Sequence, residues 1–422
     1  MTKPSPRALL MRRDVLTGIA TGLTGGALTL WGGATFLPKT VAHLSDPPPA
    51  GKSIAEPVAP PPPPPLLDWP SLDELAGRMI ERRVTPGLSL SVMKGGVMLY
   101  SAALGNARLL PKQPVDAQTG FRIASISKQF TAAAILLLRE EGKLRLDDPL
   151  ARFLPDFPRA DIMTLRELLS HTSGLDDYLS GRHAEMLTAA QTHDYTQTGL
   201  LEAIKAAAPL FRAAPGLKWV YSNTGFALLG IVVERLSGRS LAAFCRKRLF
   251  DPAGMTRTAI DALNADDPDV CEGHRANRRL RDGFGQVWPV SASFTGGAGA
   301  LRSTSADLCR WHSALMDGRI LKAASLTEML TPVRLKNGAF ALDRENSHSP
   351  GYGLGMRLGF TDGQPYFTHS GRINGFTGQL LSLPLEQLTV AMLYNCDGAN
   401  DGGFFPSHAA LREEAVRLGR MA

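Results

Sequence analysis

A serine and a lysine three residues apart open the functional reading of this chain. In Phe121-Arg122-Ile123-Ala124-Ser125-Ile126-Ser127-Lys128, an apolar run from Gln129 to Leu138 follows, and Gly142 is a stop signal. This pattern predicts a helix with Ser125 at or near its N-terminus. Lys128 then lies one turn on, with its side chain on the same face. A serine hydroxyl is a weak nucleophile and needs a base. A lysine serves if burial and neighbouring cations lower its pKa. The helix N-terminus also favours negative charge developing at the attacked centre. Alone, Ser-x-x-Lys is common by chance and reads as an exposed helix start.

Two further fragments bear on the pair. Pro215-Gly216-Leu217-Lys218-Trp219-Val220-Tyr221-Ser222-Asn223 precedes an apolar run from Thr224 to Leu236 closed by Gly238. Tyr221 and Asn223 therefore sit in the loop or cap before a helix. Asn223 reads equally as an N-cap, and Tyr221 as an interface aromatic. Thr368-His369-Ser370-Gly371-Arg372 follows Tyr366-Phe367 and looks like a strand end. Its glycine lets the backbone approach a ligand closely.

Together the fragments resemble the serine β-lactamase and penicillin-binding-protein superfamily, and within it the class C-like serine hydrolases. Ser125-Ile126-Ser127-Lys128 matches its Ser-x-x-Lys element. Tyr221-Ser222-Asn223 matches Tyr-x-Asn, and His369-Ser370-Gly371 stands where Lys-Thr-Gly is expected. Leu168 to Leu175, Gly296-Gly297-Ala298-Gly299 and Gly351-Tyr352-Gly353-Leu354-Gly355 look like the same family, and the order holds from about Leu75 to Asn395. The resemblance implies a division of labour. Ser125 attacks the carbonyl, Lys128 takes its proton directly or with Tyr221, and Tyr221 serves the leaving group and the deacylating water. Asn223, His369, Ser370, Gly371 and Arg372 bind substrate. The backbone N–H groups of Ser125 and Arg372 form an oxyanion hole. It implies neither metal nor organic cofactor. One departure stands out: His369 replaces the usual lysine. A histidine near pH 7 is mostly neutral and titrates in that range. It therefore offers a β-lactam carboxylate one N–H but little charge. The substrates implied are small esters, D-amino-acid amides or peptides, cell-wall fragments and, weakly, β-lactams. The alternative is a non-catalytic binder of cell-wall peptides with the same fold. No Gly-x-Ser-x-Gly elbow occurs, which argues against an α/β-hydrolase triad.

The elements that must position these residues are legible in outline. Ser71-Leu72-Asp73-Glu74 has capping-box spacing, and Leu72, Leu75 and Met79 share one helical face. Leu88 to Met93 and Val97 to Ser101 read as strands around a Gly95-Gly96 turn. Leu380 to Leu383 and Leu388 to Tyr394 read as two more, while the middle of the chain is mostly helical patches. The expected class is α+β: an antiparallel sheet built from both chain ends with flanking helices, plus an inserted, mostly helical subdomain. His171 ends a helix opened by the capping box Thr164-Leu165-Arg166-Glu167, so a structural role is expected. His312 is expected at the surface or in packing, and Asp176-Asp177 in a solvated loop.

Ahead of the folded region (residues 68–422), Arg12-Arg13 precedes an apolar stretch diluted by Gly and Thr. Residues 1–42 thus read as a twin-arginine signal segment, with export to the periplasm or beyond and only transient membrane contact. Residues 43–67, with prolines running from Pro60 to Pro65, read as an extended linker. The chain has 422 residues, is 44% hydrophobic and carries a net charge of +7. Five basic residues against Asp14 put +4 of that in residues 1–45, leaving +3 for the remainder. That gives no case for nucleic acid. The partner expected is a small-molecule or peptide substrate, and the expected state is a monomer. Cys245, Cys271, Cys309 and Cys396 form no Cys-x-x-Cys pair and read as small buried side chains, with pairing left open.

Overall fold

The computed structural model describes residues 64–263, 267–277, 279–343, 351–397 and 406–422. The expected signal segment and most of the linker lie outside the described residues. Helix α1 (Pro70–Glu81) opens the fold and buries Leu72, Ala76 and Met79. The capping box expected at Ser71 is not formed: Trp69 is the N-cap, and no side chain caps the helix. Pro70 in the first turn lacks the N–H that would go unpaired there. Ser71 Oγ instead donates to Glu414 Oε1 in the C-terminal helix, at 2.5 Å.

Strands β1 (Gly87–Lys94) and β2 (Val97–Leu109) follow. Their turn places Gly95 and Gly96 at φ +55° and +77°, the left-handed pair that a tight hairpin requires. After β3 (Lys112–Pro114) the chain leaves the sheet for its helical insertion. This contains α2 (Lys128–Glu140), α3 (Leu165–Leu169), α4 (Asn223–Ser237) and α5 (Ser305–Met316). The chain then returns as β4 (Gly351–Tyr352), β5 (Arg357–Thr361), β6 (Gln364–Ile373), β7 (Phe376–Leu383) and β8 (Leu388–Tyr394). Helix α6 (Pro406–Met421) closes the fold.

The eight strands form one antiparallel sheet in the order β3-β2-β1-β8-β7-β6-β5-β4. The two chain ends meet at its centre, Leu88 opposite Tyr394 and Lys94 opposite Leu388. Alternation then divides the core. Leu88, Leu90, Val92, Val390 and Met392 pack with Leu72 and Met79 of α1 and Leu411 of α6. Ala391 and Leu393 face the insertion, with Phe130 of α2 and Leu308 and Trp311 of α5. The α+β architecture expected from the sequence is the one observed.

The side chains left open resolve as packing. His312 is wholly buried, with Nε2 2.8 Å from Gln129 Oε1 and Nδ1 2.6 Å from Ser382 Oγ. All four cysteines are buried and no disulfide joins them; burial pushes the Cys245 thiol up to about 12. Among the described residues no helix is long and apolar enough to cross a membrane.

Candidate active site

Ser125 stands in a single 3₁₀ turn, Ala124–Ser127, that runs directly into α2. Ala124 just before it has φ +47°, a left-handed conformation that costs a non-glycine residue energy and recurs at functional turns. Ser127 Oγ pins the turn by accepting a hydrogen bond from Leu301 N at 3.1 Å. Lys128 begins α2 with its side chain wholly buried.

The contacts of Lys128 define its chemistry. Its Nζ lies 2.6 Å from Asn223 Oδ1, 2.9 Å from Ala298 O and 3.0 Å from Ser125 Oγ. Burial lowers its pKa, against a partial opposing pull from Tyr221. A neutral lysine amine has two N–H donors and one lone pair. The amide and carbonyl oxygens can only accept, so they take the two donors. The lone pair is left facing Ser125 Oγ, ready to receive its proton. On the other side, Tyr221 OH donates to Ser125 Oγ at 2.8 Å. The geometry thus brings Ser125, Lys128, Tyr221 and Asn223 together.

Asn223 is not the N-cap of α4. Ser222 takes that place, its Oγ accepting from Gly225 N, and the Asn223 amide turns into the site. Asp177 orients it, accepting from Asn223 Nδ2 at 2.8 Å. The solvated loop expected at Asp176-Asp177 is therefore corrected. Asp176 is buried, pairs with Arg182 and Arg212, and its carbonyl accepts from Ser222 Oγ and Thr224 Oγ1. Burial raises the pKa of Asp177. Two adjacent acids give no hint of burial in sequence, because their partners lie far along the chain.

Strand β6 supplies the third wall. A Cβ on Gly371 would stand 2.1 Å from Ile123 O, so only glycine lets this strand lie against the nucleophile turn. Arg372 is exposed and lines, with Ser125 and Asn223, a cleft of about 320 Å³. Ser370 is exposed and lies outside that lining.

His369 departs from expectation. It is wholly buried, and burial first, then the Arg357 charge, holds its pKa well below the usual histidine range. It does not titrate near pH 7, and neither ring nitrogen is open to a substrate. Nδ1 lies 2.7 Å from Ser370 O, which can only accept, so the proton is on Nδ1. Nε2 must then accept, and Tyr352 OH, 3.2 Å away, donates to it. The Tyr352 oxygen receives from His171 Nε2 at 3.1 Å. His171 Nδ1 accepts from Ser222 N at 3.1 Å. One directional chain of neutral groups therefore runs from the backbone beside Tyr221 to the backbone of β6. His171 has the structural role expected of it, while Tyr352 was visible only as part of a glycine-rich stretch.

Sheet, insertion and site together are those of the serine β-lactamase and penicillin-binding-protein superfamily, and the chain belongs to the Beta-lactamase family, whose model matches residues 72–413. It is 34% identical over 256 residues to penicillin-binding protein 4* of Bacillus subtilis (strain 168), covering 58% of this chain and 55% of that protein. It is 26% identical over 339 residues to the D-aminopeptidase of Brucella anthropi, covering 80% of this chain and 61% of that protein. It thus spans little more than half the length of these curated relatives. The D-amino acid amidase of Ochrobactrum anthropi SV3, solved with L-phenylalanine amide, superposes with a TM-score of 0.70 at 25% identity, over 83% of this chain and 98% of that one.

Proposed function

We propose that this chain is an exported serine hydrolase that forms an acyl-enzyme on Ser125 and releases it to water, acting on D-amino-acid amides, short D-peptides or small esters. One observation carries the reading: the wholly buried Lys128 amine lies 3.0 Å from Ser125 Oγ, with Asn223 Oδ1 and Ala298 O placed to take two donors, so that its neutral form turns a lone pair to Ser125. Ser125 Oγ attacks the carbonyl carbon as its proton passes to Lys128. Tyr221, held at 2.8 Å from Oγ, protonates the departing amine or alkoxide as its bond to carbon breaks. The same group then takes a proton from the water that cleaves the acyl-enzyme. The backbone N–H groups of Ser125 and Arg372 receive the oxyanion. The relatives named D-aminopeptidase and D-amino acid amidase support the substrate class. Buried, neutral His369 supports slow turnover of β-lactams, whose carboxylate it cannot pair. Arg12-Arg13 supports export by the twin-arginine route.

The test is covalent labelling of the purified protein with a fluorophosphonate and a fluorescent penicillin, read by mass spectrometry. The adduct is expected on Ser125 and absent in Ser125→Ala, with an unchanged melting temperature. An adduct on Ser127, Ser173 or Ser222 sinks the assignment. No adduct, together with binding of cell-wall peptides, favours the non-catalytic reading.

A further inference from the structure

His369 brings no charge to the strand beside Ser125, yet a cation reaches the site from the next strand over. Arg357 in β5 pairs in register with Thr368, the neighbour of His369. Its guanidinium carbon lies 5.6 Å from the centroid of the Tyr221 ring. The side chain is only 13% exposed, and Nε donates to Asp343 Oδ2 at 3.0 Å. An arginine keeps its charge at every working pH. Because the side chain is mostly buried, that charge is screened less than a surface charge over several ångströms.

We propose that Arg357 is the buried fixed cation of this acyl-transfer site, a positioning residue that acts through Tyr221 and Lys128 and stabilises negative charge on the Tyr221 oxygen while that group moves protons. The inference rests on the acyl-enzyme reading above. Several groups surround Tyr221 and Lys128: His171 after α3 and Tyr352 from β4 beside Tyr221, His369 from β6 behind Tyr352, and Asp177 behind Asn223. The two histidines are held neutral, burial being the main cause for each. Once Lys128 is neutral and ready to accept a proton, Arg357 is the mostly buried cation beside the Tyr221 ring, while Arg372 is exposed on the wall of the cleft. Burial lowers the Lys128 pKa most, and Arg357 pushes it the same way. Both effects favour turnover at neutral pH. A neutral histidine in the third motif and a buried arginine on the adjacent strand therefore belong to one arrangement.

The experiment follows kcat/KM against pH for a p-nitrophenyl ester, with fluorophosphonate labelling of Ser125 as a separate readout. Arg357→Gln keeps a donor for Asp343 but removes the charge. It should move the acidic limb toward higher pH by about one unit, with about a tenfold loss of kcat/KM on the limb at fixed pH. Arg357→Lys keeps the charge and should restore the limb. Asp343→Asn leaves the guanidinium less compensated and should move the limb the other way, giving an arm that does not depend on Arg357→Gln folding. A parent-like limb in folded Arg357→Gln overturns the proposal, and so does the same displacement in Arg357→Lys. If Arg357→Gln does not fold, an unmoved limb in Asp343→Asn overturns it. Failure of the parent to label at Ser125 would instead strike the acyl-enzyme reading.

Discussion

The proton positions around His369 follow from its neighbours, because each link leaves one choice. Ser370 O and Ser222 N each have a single role, acceptor and donor, and the two histidines between them have one proton apiece. Tyr352 is the joint, the one group in the chain that accepts from one ring and donates to the other. Tyr352→Phe keeps the ring but strands two buried imidazole nitrogens. Each unpaired buried polar group costs about 1–3 kcal/mol, so urea unfolding should show a loss in that range. Since the chain ties the Tyr221 loop to β6, kcat should also fall, by about three- to tenfold, with KM little changed. A stability loss with full kcat would leave Tyr352 a packing residue and nothing more. Ser125, Lys128, Tyr221 and Asn223 were legible in sequence because helix spacing and short motifs bring them together. Asp177, Tyr352 and Arg357 were not, because their relation to the site is made by pairing between distant segments, which no local pattern records.

Elements carry the site by how closely they approach one another. Strand β6 lies against the nucleophile turn at Gly371, where an added Cβ would meet the Ile123 carbonyl oxygen at 2.1 Å and the Ala124 Cβ at 3.3 Å. Both obstacles belong to the turn that holds Ser125, so relief must move either the strand or the nucleophile. Displacements near 1 Å in a catalytic constellation cost on the order of a hundredfold. Gly371→Ala should therefore lose about that much kcat/KM for a p-nitrophenyl ester. Gly77→Ala in α1, where nothing lies within 4 Å of the added Cβ, should lose none. Retained activity in Gly371→Ala would show that the turn can yield. Helices α2 and α4 were readable because apolar runs end at glycines that adopt positive φ, Gly142 and Gly238. Strands β3, β4 and β5 were not, since two or three residues carry no periodicity and β5 is broken by Gly359. At Ser71 the local rule lost to a tertiary one: Glu414 offered the hydroxyl a better partner than its own helix end did.

The whole molecule buries histidines as neutral groups, and that fixes how it meets acid. His171, His312 and His369 are wholly buried. Burial is the first cause of the lowered pKa in each, and it holds His312 down to about 3 from its ordinary value of 6.5. Below 6.5 the unfolded chain protonates these side chains while the folded one does not. The unfolded state then binds more protons, so stability falls as pH falls. Each such group contributes a slope of up to about 1.4 kcal/mol per pH unit. For His312 this starts near 6.5 and ends near 3. Paired carboxylates act later: Glu414, lowered to about 2 by Arg417 and Ser71, loses its contribution only as pH drops below the usual carboxylate range. In the window from pH 6.5 to 5 the buried histidines act together with Lys128, whose pKa burial also lowers, while Asp177, whose pKa burial raises, acts the other way, so a histidine substitution is needed to single out one ring. Urea unfolding across this window should show a steep loss in the parent. The slope should be shallower by about one proton in His312→Asn, although that variant starts less stable at pH 7.5. A parent whose stability is flat from pH 7.5 to 5 would mean that these rings take up protons in the folded state, against the cost of charging a buried imidazole.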